Sequence, residues 1–426
     1  MILRQNQPRN DDLPMNKSAS VSYPVDPERR RIANHKAVER IAATRPVLAG
    51  CERAASALNL ADGELGHAGP PFDELAEIPA PVLNALAGAA VYEGWAGTLD
   101  AARSSILRGE IRLRANHDLG TASPMSGVVR PSQIVMRIEN RAGPGVTYAT
   151  LAEAGRRVLR FGCYDAHVAA GLRYLDDIVG PAIARALPPG GMHVLPLIAE
   201  GLASGDDVHQ RNVGGMFAFA RQLASIENSV RSWLLGNPQH FLNYAMAAAK
   251  LALDQAEGIA ASTIVTAISR NGYSCGVRVA STGKRWFCAP ATIPDGHFFA
   301  PHSRGDAQRD LGDSAIMETF GLGGAVAHCS PELARIMLQD WPQSESAGRS
   351  MRALFWSAHP LFASALAGSE KAGLGLDAQR VVEEQSPVRI HTGIAHRDGA
   401  TGWIGIGVAS APLSCFEQAL SAVAQA

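Results

Sequence analysis

HFLNYAMAAAKLALDQAEG, residues 240 to 258, is apolar on nearly every side. At about 100° per residue, His240, Asn243, Lys250 and Asp254 fall within an arc of roughly 80°. A surface helix carries a broad polar face, whereas a narrow polar stripe on an apolar cylinder predicts a buried helix that presents those groups to a cavity. The other reading is an exposed ion pair between Lys250 and Asp254, worth roughly a few tenths of a kcal/mol.

This helix closes a helical middle, preceded by helical stretches near 192–203 and 213–235 and punctuated upstream by PPGG at 188–191. Before that punctuation, helical periodicity runs from about Arg30 to Ala57, breaks at GHAGPP (66–71), continues in a second helix pair, and resumes from Tyr148 to Leu187. QIVMRIEN (133–140) alternates as a half-buried strand does. From Thr263 the chain is glycine-rich, with strand-like runs TIVTAISR, GVRVAS, VRIHTGI and WIGIGVA. The fold class is therefore mixed α and β (α+β). It divides into a polar arm (1–30), an N-terminal α/β portion (31–190), a helical segment (191–260) and a glycine-rich α/β portion (261–426). The arm is polar and proline-punctuated and cannot bury enough apolar surface to offset its ordering entropy.

With 426 residues, 46% of them hydrophobic, the chain can fill the cores of two or three domains. Its 39 basic and 40 acidic residues leave a net charge of -1, so nothing draws it in bulk to nucleic acid or to an anionic membrane. Any anion must be bound locally. Six scattered cysteines form no CxxC pair and no disulfide framework, which fits a reducing cytoplasm. The first residues carry no apolar signal region, and no run of eighteen apolar residues occurs.

Chemistry-bearing residues cluster in separated islands. In GDDVHQRN (205–212), Gly205 and Asp206 read as a turn and helix N-cap, a start that suits an anion. Arg211 offers a planar fork for carboxylate or phosphate, and His209 can donate, accept or transfer a proton. A capped surface turn fits the same eight residues equally well. ISRNGYSCGVRV (268–279) reads as a hairpin, with Asn271 and Gly272 supplying positive φ and Arg270 and Arg278 facing either solvent or an anion. In DLGDSAIMETFGLGG, Ser314 reads as an N-cap and Glu318 as a charge near the positive end of a helix. No Walker A, GxGxxG, HExxH or GxSxG motif is present, so no cofactor is predicted. A divalent metal stays open, with Asp206 and His209 as its candidate ligands.

Taken in order, HAGPP, YEGWA, SPMSGVV, GDDVHQRN, HFLNYAMAAAK, STIVTAISRNG, GVRV, WFCAP, DLGDSAIMETFGLGG and TGIAHRDGATGWIGIG resemble the YlbE-like family, from about Leu65 to Phe416. One member of that family is a component of bacterial oxamate carbamoyltransferase. The resemblance implies carbamoyl transfer in the company of companion subunits. This chain differs from the family pattern in having Asp207, Gln210 and Ser123 where glutamate, asparagine and glycine are usual.

Oxamate and carbamoyl phosphate are small anions with planar carbonyls, so a site for them needs cations and oxyanion donors. On this reading Lys250, Arg211 and Arg270 hold the anions and meet around one pocket. His209 or His240 manages the proton of the attacking amide, and Asn243 or Asn271 polarises the carbamoyl oxygen. Asn212, Asp313, Ser314 and His396 complete the substrate-binding candidates. The STRT-type loop and HPxQ segment of ordinary carbamoyltransferases are absent from the sequence. Two rival readings stand beside this one: an amide or ureide hydrolase with Asp206, His209 and Asp313 around a metal, and a noncatalytic scaffold subunit. Homo-oligomerisation is expected on general grounds.

Overall fold

The computed structural model describes residues 26–337, 341–363 and 371–425 of the chain. Residues 1–25, most of the expected arm, lie outside the described residues. The fold is a mixed α+β arrangement of several small sheets packed around buried helices.

The helix Gln239–Asp254 lies at its centre, and every side chain from His240 to Leu253 is buried. That is the outcome its sequence predicts, because apolar residues occupy all faces but one. One side of it packs on a five-stranded sheet whose order is Thr121–Ala122, Val146–Ala149, Ile134–Asn140, Pro46–Arg53 and Met192–His193. Thr147 ties the two together by donating its hydroxyl to the Ala247 carbonyl (2.8 Å). The strand Ile134–Asn140 matches the alternation read in QIVMRIEN.

Two expected helical runs are corrected. The run from Arg30 to Ala57 is a helix only over Pro27–Ala43, with Asp26 as its N-cap; the strand Pro46–Arg53 and a single turn, Ala54–Ala57, follow it. Pro46 supplies the reason, since the residue before a proline is pushed toward extended backbone. Between Tyr148 and Leu187, α-helix begins only at Ala166, after a single 3-10 turn at Leu159–Phe161. Residues 150–165 are held by side-chain contacts instead of a backbone ladder, and Gly155 and Gly162 adopt positive φ there. This irregular stretch forms a wall of the candidate site.

Toward the C-terminus, the hairpin Val265–Asn271 and Ser274–Val279 sits in a four-stranded sheet with Phe287–Pro290 and Leu311–Gly312. Its two-residue loop is Gly272–Tyr273, so Gly272 alone supplies positive φ (84°). Asn271 remains in the strand, and its Oδ1 accepts from the backbone N–H groups of Tyr273 and Ser274. A three-stranded sheet orders Asp295–Phe298, Trp403–Ser410 and Arg389–Ala395. Among the described residues no helix is long and apolar enough to cross a membrane, and all six cysteines are free thiols.

Candidate functional site

The loop at 205–212 is neither helical nor exposed. Asp206, Asp207, Val208, His209 and Asn212 are all buried. The Asp206 carboxylate accepts from Gly215 N–H (2.8 Å), so it caps the helix Val213–Gln222 from seven residues before its start and is not itself the cap residue. Burial pushes its carboxyl up to about 6, against the pull of the Gly215 and Gly214 amides and of Arg211. Asp207 binds the loop to itself by accepting from the N–H groups of His209 (3.1 Å) and Arg211 (2.8 Å). Its other oxygen lies 2.6 Å from His391 Nδ1. Burial alone raises Asp207, but His391, His209 and the Arg211 N–H together outweigh it and hold the carboxyl below its ordinary value. Val208 carries a φ of 56°, costly for a β-branched residue, and this backbone is what turns His209 inward.

His209 Nδ1 stands 2.8 and 3.0 Å from the two oxygens of Glu318, and both side chains are buried. A carboxylate can only accept, so Nδ1 carries the proton and Nε2 is left free to act as a base. Glu318 is held in turn by N–H groups of Gly324 (2.9 Å) and His391 (3.1 Å). The glycine run that ends DLGDSAIMETFGLGG has a structural reason here. A Cβ on Gly323, whose φ is 56°, would lie 2.0 Å from Glu318 Oε1.

The free edge of His209 lines a cleft of about 450 Å³, counting the space at its mouth, together with Met125, Arg160, Phe161, Ser314 and Trp403. Among the described residues neither His209 Nε2 nor Ser314 Oγ has a hydrogen-bond partner. Arg160 donates to the Glu153 carbonyl (2.7 Å) and lies 3.5 Å from its carboxylate, yet burial still lowers its pKa because that pairing is loose. A half-buried, loosely paired guanidinium suits an incoming anion. Beyond Arg160, a second chamber of about 500 Å³ shares Pro124, Ala152 and Arg160 with the first.

Asp313 fixes the floor beneath. Its oxygens accept from Gly69 N–H (2.9 Å), Ser269 Oγ (2.5 Å), Asn116 Nδ2 (2.9 Å) and Ser123 N–H (2.9 Å). The islands HAGPP, SPMSG, ISRNG and DLGDS thus meet at one carboxylate, while GDDVHQRN meets DLGDSAIMETFGLGG through His209 and Glu318.

Of the sequence candidates, His209 and Ser314 line the first chamber and Asn243 lines the second. His240 lies behind them, with its nitrogens on the Ala152 carbonyl (3.3 Å) and Tyr244 hydroxyl (2.9 Å); burial lowers its pKa to about 4. Asn271 staples its hairpin to the Pro70 carbonyl (3.0 Å), and Asn212 donates to the His209 carbonyl (2.9 Å). His396 pairs with Asp398 (2.9 Å) in a turn outside the cleft.

The three cations do not meet around one pocket. Arg211 grips Asp206 (2.5 Å) beside a surface groove, Lys250 pairs with Asp254 (2.9 Å), and Arg270 is clamped by Asp310 (2.6 and 3.1 Å) and the Gly312 carbonyl (2.5 Å). Lys250 and Arg270 are nonetheless buried, and Lys250 is 2% exposed, so its ion pair is not the solvated kind. Of the metal candidates, Asp206 faces Arg211 and Gly215, and His209 faces Glu318. Among the described residues no three His, Cys, Asp or Glu side chains gather as a ligand set. Sequence reasoning missed Arg160, in the irregular stretch before Gly162, and the role of Glu318.

Residues 111–314 match the family model of the oxamate carbamoyltransferase subunit AllG. Over 408 residues, 92% of this chain and 97% of its relative, the sequence is 36% identical to oxamate carbamoyltransferase subunit AllG of Escherichia coli strain K12. The chain belongs to the AllG family. An uncharacterized protein of the same organism, YahG, is 31% identical over 403 residues, 91% of this chain and 84% of YahG. A crystal structure of a conserved protein of unknown function from Enterococcus faecalis V583 superimposes with a TM-score of 0.88 at 30% identity, covering 93% of this chain and 98% of that one. The AllG match covers His209 and Arg160 and ends at Ser314; Glu318 lies just past it.

Proposed function

We propose that this AllG-family chain carries a carbamoyl-transfer site and works as a component of a multi-subunit enzyme. The carbamoyl group passes between carbamoyl phosphate and a small amide or ureide acid such as oxamate. The observation that supports this is the buried His209–Glu318 pair, with its free ring nitrogen in a cleft that also holds Arg160.

In the synthetic direction the amide nitrogen attacks the carbamoyl carbon. The new C–N bond forms as the C–O bond to phosphate breaks, and phosphate departs with the electron pair. His209 Nε2 takes the proton lost by nitrogen and returns it to the phosphate, while Glu318 orients the ring and stabilises its charged form. Arg160 presents its fork to the carboxylate or phosphate, and the Ser314 hydroxyl donates to the developing oxyanion. Arg211, Arg270 and Asp313 act as positioning residues through the loops they hold. No covalent intermediate on the protein is needed.

The test is to incubate the purified protein, alone and with the products of neighbouring genes, with oxalurate and phosphate. Carbamoyl phosphate formed in proportion to added phosphate is the expected result. Cleavage that ignores phosphate and stops on chelation would identify a metal-assisted hydrolase instead.

A further inference from the structure

The two chambers that meet at Arg160 differ in charge. No carboxylate lines the first, where Arg160 and His209 stand. In the second, Asp176 and Glu153 stand beside Arg130 and Arg160, the Arg160–Glu153 pairing being the looser at 3.5 Å. Arg130 lies 2.5 Å from Asp176 and 3.5 Å from a further carboxylate, Glu93, so its charge is compensated, and the loosely paired cation is Arg160 at the junction with the first chamber.

It does offer unpartnered polar atoms. Asn243 is 1% exposed and donates Nδ2 to the Thr150 carbonyl (2.9 Å) and hydroxyl (2.8 Å). That carbonyl can only accept, which fixes the orientation of the amide and leaves Oδ1 as a buried acceptor with no partner among the described residues. Arg130, 2% exposed, likewise has a buried Nε–H donor with no partner. Leaving such groups unpaired is costly unless a ligand or water satisfies them. One orphan acceptor and one orphan donor in a charge-balanced chamber call for a small, neutral group bearing both N–H and C=O.

We infer that the second chamber is a subsite for an uncharged carboxamide or ureide group, its N–H directed to Asn243 and its carbonyl toward Arg130. The charged end of the same ligand then lies toward Arg160 and the first chamber. As the acceptor subsite of carbamoyl transfer this rests on the function proposed above, but the binding is measured without turnover.

The experiment is fluorine NMR of the full-length protein with trifluoroacetamide and, separately, trifluoroacetate. The amide resonance is expected to broaden on addition of protein and to recover with excess acetamide but not with acetate. Asn243→Ala should weaken this binding at least about tenfold, and His209→Asn should leave it unchanged while removing turnover. Because Asn243 is buried in the central helix, Thr150→Val and the selectivity of the unaltered protein provide readings that do not depend on that variant folding. Absence of amide binding, equal competition by acetate, or amide binding indifferent to both Asn243→Ala and Thr150→Val would overturn the subsite. Loss of carbamoyl transfer with amide binding intact would overturn only the reaction.

Discussion

Glu318 reaches back 109 residues to place a carboxylate oxygen 2.8 Å from Nδ1 of His209, with both side chains removed from solvent. The pair fixes one tautomer of the imidazole and points the other nitrogen into the cleft. Glu318→Gln keeps the shape but replaces an acceptor by an amide that no longer stabilises a charged ring. Turnover should fall by roughly 10²-fold or more, the scale of a lost general-base arrangement, with Tm nearly unchanged. Equal turnover in the variant would remove the pair from the mechanism.

Gly323→Ala tests the same contact from the opposite side. The new methyl would meet Glu318 Oε1 at 2.0 Å and His209 Nδ1 at 3.1 Å, on a backbone already at positive φ. Activity should be lost together with stability, by about 1–3 kcal/mol in chemical unfolding. A fully active, fully stable Gly323→Ala protein would show that the glycine is not needed for this approach.

Arg211 is expected to act through its loop. Removing it leaves Asp206 buried with only backbone donors, so Arg211→Ala should cost about 2 kcal/mol or more and reduce turnover as a consequence of His209 moving. Unchanged Tm with a tenfold rise in KM would instead put the guanidinium on the substrate.

His240 gives the pH dependence. Burial lowers its pKa from 6.5 to about 4, so the native state holds the neutral ring while the unfolded chain binds a proton. Its contribution is fully present above pH 6.5 and is lost as pH falls from there through about 4. The stability difference between the native protein and His240→Gln should shrink by up to about 3 kcal/mol across that window. A difference that stays flat with pH, followed by urea unfolding, would mean that the ring already titrates freely.

Local patterns were legible in the sequence, and long-range pairings were not. The buried helix Gln239–Asp254 follows from side-chain periodicity within itself, as does the strand Ile134–Asn140. Pro46–Arg53 reads as helix because its strand character comes from pairing with residues near 134–140, far along the chain. Family membership was legible from the ordered islands, and it holds at 36% identity to AllG over nearly the whole chain. The site was harder to read. Arg160 sits in a stretch with no period, and Glu318 looks like a helix-end charge until folding brings His209 beside it. Arg270 and Lys250 look available in sequence, yet Asp310 and Asp254 hold them in the structure.

The most direct measurement is the rate of phosphate-dependent carbamoyl phosphate formation from oxalurate by the assembled enzyme, with this subunit either native or His209→Asn. The account predicts a fall of about 10³-fold or more with assembly and Tm retained. Turnover within twofold of native would contradict it and make the chain a scaffold for chemistry performed on another subunit.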